Sequence, residues 1–244
     1  MAGRVATAVT AGVREFSRTP VLLALLAFLP VYFIGVFVLL VPDRTVPLTL
    51  DGAAATAEMP AFAAAFITPV TVAVLAGIVG LFLMQSSQAA DDRLRLAGFR
   101  ARELVAARFG LLAVGTLVVT GASLVVALAA FTPELLGWFV AATLLVGLTY
   151  GVLGVAVGVV LDRLPGVYVM LFAPMVDVLL FQNPLATDSP AWTAVLPGHF
   201  ATNVLFDAGF TAGVELADAA AAAGYVLLGL AVGGALLYRA TAVE

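Results

Sequence analysis

Long apolar stretches alternate with short polar ones along most of the chain. Six of them are candidates for membrane-spanning helices, and they cover residues 21–41, 62–84, 109–131, 135–161, 166–181 and 219–238. Crossing the hydrocarbon core takes about 20 mostly apolar residues, and of the six only 166–181 is short. The longest, 135–161, is expected to tilt or to begin at the interface. The pattern predicts an all-α integral membrane protein with six transmembrane helices in a single transmembrane domain, residues 1–244.

The composition agrees with a membrane protein. Hydrophobic residues make up 63% of the chain and charged residues only 11%, against roughly 25% charged in an ordinary soluble domain. A soluble domain of this size could not bury so much apolar surface, so lipid is the expected solvent. The chain has no cysteine, which excludes disulfides, catalytic thiolates and cysteine metal sites.

The positions of the arginines predict how the helices are oriented. With the N-terminus in the cytoplasm, only Arg44 of the 11 basic residues falls on the outside. Cytoplasmic loops carry an excess of basic residues, so this bias predicts cytoplasmic N- and C-termini. The expected location is the plasma membrane. Within residues 1–19, Val5, Val9 and Phe16 fall on one side of a helix with arginines nearby. This pattern predicts an interfacial amphipathic helix, and the alternative is a charged tail.

One short segment, DDRLRLAGFRARELVAARF at residues 91–109, carries five of the arginines. A buried arginine costs about 2.5–3.5 kcal/mol at the centre of a membrane helix, so all five arginines are predicted to be cytoplasmic, in a segment that covers residues 85–108. Helical periodicity puts Leu94 and Leu104 on one face and Leu96 with Phe99 on roughly the opposite face. This second apolar pair among arginines indicates a docking surface. The alternative is plain anchoring to anionic lipid headgroups.

Taken together, these features resemble the permease subunit of type-2 ABC transporters. The shared layout has an interfacial helix before the first span and six spans with both termini inside. It also has the charged cytoplasmic segment between spans two and three and a longer outer segment between spans five and six, here residues 182–218. The resemblance covers essentially the whole chain and rests on this layout.

The resemblance implies partners and a site. In that family the first cytoplasmic segment carries a coupling helix, which sits in a groove of a separate ATPase subunit. Carried over to this chain, the ATPase-docking contacts are expected at Leu96, Phe99, Arg100 and Arg102. The loop around Asp162 and Arg163 is expected to make a minor second contact. The family implies two permeases, as a homodimer or heterodimer, with two ATPases, and the outer segment is expected to form re-entrant helices. The chain is interpreted as an exporter subunit.

The chain has no ATP-binding motif of its own. A P-loop needs G-x-x-x-x-G-K-[ST], in which the lysine meets the phosphates, and this chain has no lysine. If the protein uses ATP, hydrolysis takes place in a partner chain. For this chain we expect no catalytic residue, no cofactor, no metal site and no nucleic-acid partner.

Two further features lie inside the predicted spans. Asp177 is the acid most clearly within a span, and intramembrane acids are candidates for a transport pathway. It lies near the outer end, so contact with water in an outer vestibule is the alternative. The fourth span also carries a smooth glycine stripe that predicts close helix packing, within a subunit or across a dimer. Its members are Gly147, Gly151, Gly154 and Gly158.

Two other classes of function compete with this interpretation. An ATP-independent secondary transporter or channel would usually show several intramembrane charges or broken midplane helices, and here only Asp177 qualifies. An intramembrane serine protease would need a serine–histidine pair, for which GASL at residues 121–124 offers Ser123 and the outer segment offers His199. His199 falls in a predicted loop, and no other metal-ligating residue lies at ligand spacing from it.

Overall fold

Helices account for 83% of the residues that the structure describes. The structure, a computed structural model, describes residues 2–17, 20–50, 53–86, 100–186 and 190–242. In chain order its elements are α1 (Ala2–Ser17), α2 (Pro20–Leu40), β1 (Thr45–Leu50), β2 (Ala53–Glu58), α3 (Met59–Ser86), α4 (Ala101–Ala130), α5 (Leu136–Val160), α6 (Arg163–Pro174), a π-helical continuation of α6 (Met175–Phe181), a short 3-10 helix (Ala191–Val195), α7 (His199–Phe210) and α8 (Leu216–Ala242).

The long helices are suited to a membrane. Among the described residues, five helices are long and apolar enough to cross one: Met59–Gln85, Ala101–Ala130, Leu136–Val160, Arg163–Phe181 and Leu216–Arg239. α2 adds a shorter apolar stretch, Leu26–Leu40. Large apolar side chains such as Phe28, Val125 and Phe172 are exposed on the outside of the bundle. An exterior of this kind belongs in lipid, so the chain is a membrane-embedded, mostly helical protein. The count of six spans and the cytoplasmic termini stay predictions.

The segment between α2 and α3 forms a β-hairpin that the helical pattern did not predict. β1 and β2 pair antiparallel, with Thr45 opposite Glu58. Val46, Leu48 and Leu50 lie two residues apart in β1 and are all buried, as expected for a strand with one face against the core. The prediction of an all-α chain is therefore wrong in this segment.

The bundle has two distinct ends. At the end that we call the hairpin end, the rings of Phe62 and Phe66 on α3 lie 6.3 and 5.9 Å from the ring of Phe206 on α7, and the hairpin belongs to the same hydrophobic cluster. The opposite end, which we call the basic end, brings together the end of α3, the start of α4, the end of α5 and the start of α6. There the Gln85 side chain of α3 donates a hydrogen bond to the Leu161 carbonyl just after α5.

α3 is the central helix of the bundle. In its most apolar stretch 89% of the residues are buried inside the protein, against at most 50% in the other four helices that could span a membrane. It packs on α5 backbone to backbone, because a methyl group at Gly154 would overlap the Gly77 carbonyl oxygen and one at Gly80 would overlap the Gly151 carbonyl oxygen. Glycine at these positions lets the two helices approach closely.

The helices extend further into the predicted cytoplasmic segment than the sequence suggested. α3 continues to Ser86, and α4 begins at Ala101 rather than near residue 109, so both overlap the predicted segment 85–108. The predicted docking residues Leu96 and Phe99 lie outside the described residues. α1 occupies most of the predicted interfacial segment 1–19, and its Gly12 lies directly against Leu111 of α4.

Candidate functional sites at the two ends of the bundle

Two of the predicted docking residues, Arg100 and Arg102, stand at the start of α4. The Arg100 N–H donates to Glu103 Oε2 at 3.0 Å, and the Glu103 N–H donates to the Arg100 carbonyl at 2.8 Å. This exchange satisfies backbone groups at the helix N-terminus and fixes where α4 begins. Arg102 is exposed on the first turn. It lines a mostly apolar groove of about 660 Å³ between α1 and α4, together with Val5 and Val9.

Arg108, the last arginine of the dense segment, is buried. Its Nη1 donates to the Leu83 carbonyl at 3.0 Å and the Met84 carbonyl at 3.4 Å, and only 7% of the residue is exposed. These carbonyls belong to the last turn of α3, where a helix has no internal donors left. A positive charge also suits the negative end of a helix dipole. The cytoplasmic placement of the five arginines stays a prediction. The burial of Arg108 was not predicted, and the α3 terminus supplies the acceptors that make it tolerable.

Two further elements contact the same turn of α3. Gln85 Nε2 donates to the Leu161 carbonyl at 3.1 Å, which ties α3 to the end of α5. The Arg163 guanidinium, at the start of α6, lies 4.7 Å from the centre of the Phe82 ring, within the range of a cation–π interaction. We call Phe82, Gln85, Arg108 and Arg163 the collar. The loop predicted as the minor second contact thus adjoins the last described turn of α3.

At the hairpin end, Asp177 is buried and accepts hydrogen bonds from three parts of the chain. The Tyr150 hydroxyl of α5 donates to its Oδ2, the Gly198 N–H donates to Oδ2 at 2.9 Å, and Gln182 Nε2 donates to Oδ1 at 3.0 Å. Because Gly198 immediately precedes α7, the carboxylate caps the N-terminus of that helix, where a negative charge is stabilising. A pathway role for Asp177 stays a prediction beside this structural one.

The local backbone fits the buried position of Asp177. α6 ends at Pro174, which has no backbone N–H to continue a regular helix, and the chain goes on in π-helical turns to Phe181. Such turns are rare and often occur at functional sites. A methyl group at Gly198 would lie 2.8 Å from the Tyr150 hydroxyl oxygen and 3.0 Å from Asp177 Oδ2. Glycine is therefore needed for the close approach of the α7 terminus to the carboxylate.

The polar chain continues from Asp177 towards α8. Gln182 Oε1 lies 2.8 Å from His199 Nδ1, and Asn203 Nδ2 donates to Asp218 Oδ2 at 2.9 Å and lies 3.5 Å from His199 Nε2. Because the amide nitrogen of Gln182 donates to the carboxylate, its oxygen faces His199 and accepts a hydrogen bond from Nδ1–H. The network joins α5, the π-helical turns, α7 and α8.

A pocket of about 200 Å³ opens beside this network. His199, Asn203 and Asp207 line it from one face of α7, and Leu50 of β1 lines it from the hairpin. Their spacing of four residues puts the three polar side chains on adjacent turns. Within the ranges that the structure describes, no group of three or more His, Asp or Glu side chains could hold a metal ion.

The serine and histidine considered for a protease do not meet as a catalytic pair. Ser123 is fully buried on α4, and its hydroxyl has no hydrogen-bond partner among the described residues. The two ring nitrogens of His199 face Gln182 and Asn203 instead. A serine nucleophile needs its base within hydrogen-bond reach.

The glycine stripe of α5 faces neighbouring helices of the same chain. Two of its members meet α3, as described above. A methyl group at Gly147 would lie 2.7 Å from Thr116 Cγ2 on α4, and one at Gly158 would lie 2.8 Å from Met84 Cβ on α3. The stripe therefore packs within the subunit, which was one of the two alternatives that the spacing left open.

Sequence reasoning missed several residues that hold these sites together. Tyr150 lies beside Gly151 of the stripe, and Gln182 directly follows an apolar run, so each is a polar group next to a predicted buried surface. That position is the signal by which both could have been singled out.

No protein-family model matches the chain, and no curated protein matches it.

Proposed function

We propose that the protein is the membrane-spanning permease subunit of a type-2 ABC transporter, working as an exporter in the cell membrane with both termini in the cytoplasm. It acts with a separate P-loop ATPase subunit and a second permease subunit. Hydrolysis takes place in the ATPase, because a chain without lysine cannot build a P-loop. The alternative is an ATP-independent secondary transporter or channel.

The observation that carries the proposal is the attachment of the arginine-dense segment. It leads from α3, the most buried of the long helices, into α4, whose start is held by the Arg100–Glu103 exchange. A force on this segment therefore acts directly on α3, the central helix of the bundle, as well as on α4. A segment that only set the topology would need no such attachment.

The outer segment gives independent support. Between the π-helical continuation of α6 and the start of α8, the described residues form a short 3-10 helix and α7. Val204 and Leu205 of α7 are fully buried. Backbone that re-enters a membrane must be covered by protein or line a cavity, and α7 meets this condition. Short broken helices at this place are what the layout of the family leads us to expect.

Purification with the chain as bait tests the proposal. The tagged full-length chain, extracted from its own cells in mild detergent, is expected to bring down a P-loop ATPase. The double change Leu96→Asp with Phe99→Asp should reduce the recovered ATPase at least ten-fold while the chain still inserts in the membrane, because it puts two carboxylates on the predicted docking face.

A matched control places the same two charges at the other end. Val195 and Leu216 are 73% and 68% exposed at the hairpin end, and Val195→Asp with Leu216→Asp should leave the ATPase bound. Retention of the ATPase by the Leu96/Phe99 variant would contradict the docking face. Transport by the purified chain in vesicles without a nucleotide-hydrolysing partner would favour the ATP-independent alternative.

A further inference from the structure

Arg108 lies deeper in the bundle than a topology signal requires. It is seven residues beyond Ala101, or about 10 Å along α4 at 1.5 Å per residue. A buried charge is costly unless hydrogen-bonded groups compensate it, and here the α3 carbonyls of Leu83 and Met84 do so. The guanidinium thus acts as a C-terminal cap for α3 that is supplied by a different helix.

The collar joins four helices at the last turn of α3, the described turn that precedes the arginine-dense segment in the sequence. Phe82 and Gln85 of α3 contact Arg163 at the start of α6 and the Leu161 carbonyl at the end of α5, and Arg108 adds α4. The chain leaves α3 at Ser86, one residue after Gln85. A displacement of the chain between α3 and α4 therefore acts on this turn as well as on the start of α4.

We propose that Arg108 is a positioning residue for energy coupling: it locks the last turn of α3 to α4, so that movement of the arginine-dense segment shifts the packed helices together instead of unwinding the end of α3. The inference rests on the proposed function, because it takes an ATPase to be the source of that movement. It assigns Arg108 a task separate from docking, since a buried guanidinium is not available to a partner.

A movement of α3 at the collar is expected to act at the opposite end of this helix, next to α7. α3 has 28 residues, or about 42 Å at 1.5 Å per residue, and its first turns carry Phe62 and Phe66 against Phe206 of α7. The glycine contacts with α5 hold the middle of the helix. Packed elements of this kind move as units, so a shift at the collar is expected to reach the outer segment.

Spin labels can report this movement because the chain has no cysteine. Val195→Cys and Leu136→Cys place labels on two exposed sites at the hairpin end. The labelled full-length chain is purified together with its bound ATPase. Addition of ATP to this complex is expected to shift the distribution of distances between the two labels. Arg108→Met should reduce that shift to less than a third with the ATPase still bound, whereas Arg108→Lys, which can still donate to a carbonyl, should keep an intermediate shift.

Two further variants make the outcome decisive. Arg239→Met removes an exposed arginine from the last turn of α8 and should leave the shift unchanged. Gln85→Leu breaks the collar bond between α3 and the end of α5 but leaves the Arg108 bonds in place, so it should reduce the shift less than Arg108→Met does. A full ATP-driven shift in Arg108→Met, or in Arg108→Lys where the first variant does not fold, would overturn the inference. Absence of a bound ATPase from the wild-type complex would instead overturn the proposed function.

Discussion

The Gly198 N–H and the Asp177 carboxylate are joined by a hydrogen bond of 2.9 Å, so a side chain in one apolar helix caps the helix whose N-cap residue lies 21 residues later. An acid in a membrane segment is costly, and it usually marks a functional site. Here the carboxylate also satisfies the Tyr150 hydroxyl and the Gln182 amide. Its presence in the apolar stretch is therefore explained by the need to anchor α7.

We expect Asp177→Ala to lower the stability of the protein substantially. The change removes the acceptor of three hydrogen bonds and leaves buried donors behind, at about 1–3 kcal/mol for each unsatisfied group. The free energy of unfolding should fall by about 3 kcal/mol or more, which corresponds to a melting temperature about 6 °C or more lower for a chain of this length. Thermal unfolding of the purified protein in detergent measures the effect.

Asp162 provides the control for this change. It precedes α6 and makes no side-chain capping bond, and it is exposed. Asp162→Ala should therefore change the free energy of unfolding by no more than about 0.5 kcal/mol. If Asp177→Ala melted at the temperature of the wild type, the anchoring role would be lost and a pathway role would become the better account.

The long helices could be predicted from the sequence because length and hydropathy are local properties of the chain. The β-hairpin was missed although an Asp–Gly pair at residues 51–52 separates its strands, and such a pair is a strong hairpin signal. The second strand, Ala53–Glu58, consists mostly of alanine, which is depleted in strands. Its pairing depends on Leu48 and its neighbours packing under α7, which no local pattern reveals.

The partners of the charged residues could not be predicted for a different reason. Arg108 meets a carbonyl 24 residues away and Asp177 an amide 21 residues away. Periodicity assigns a residue to one face of its helix, but it does not say which neighbouring helix that face meets. The burial of Arg108 was also hidden by the exposed arginines around it, because charge density alone predicts a cytoplasmic loop.

Gly154→Ala tests the close contact between α3 and α5. The added methyl group would overlap the Gly77 carbonyl oxygen, and a backbone atom cannot move aside as the end of a side chain can. Overpacking of this kind costs about 1–3 kcal/mol, and we expect a loss of stability at the upper end of that range.

Gly121→Ala is the matched control, since nothing lies within 4 Å of the added carbon and alanine favours a helix by up to about 1 kcal/mol. Equal effects of the two changes on chemical unfolding in detergent would show that α3 and α5 do not pack this closely.

Ser123→Ala separates a structural serine from a catalytic one. The Ser123 hydroxyl is buried without a hydrogen-bond partner among the described residues, so its removal should leave stability unchanged or raise it by about 1 kcal/mol. Thr143→Val is the comparison, because the Thr143 hydroxyl donates to the Phe139 carbonyl at 2.7 Å and its loss should lower stability by about 0.5–1.5 kcal/mol.

ATP-driven movement of the labels at the hairpin end should be the same in Ser123→Ala as in the wild type. An intramembrane protease would instead lose its activity entirely with this serine, and a proteolytic activity that disappears in Ser123→Ala would contradict the proposed transport function.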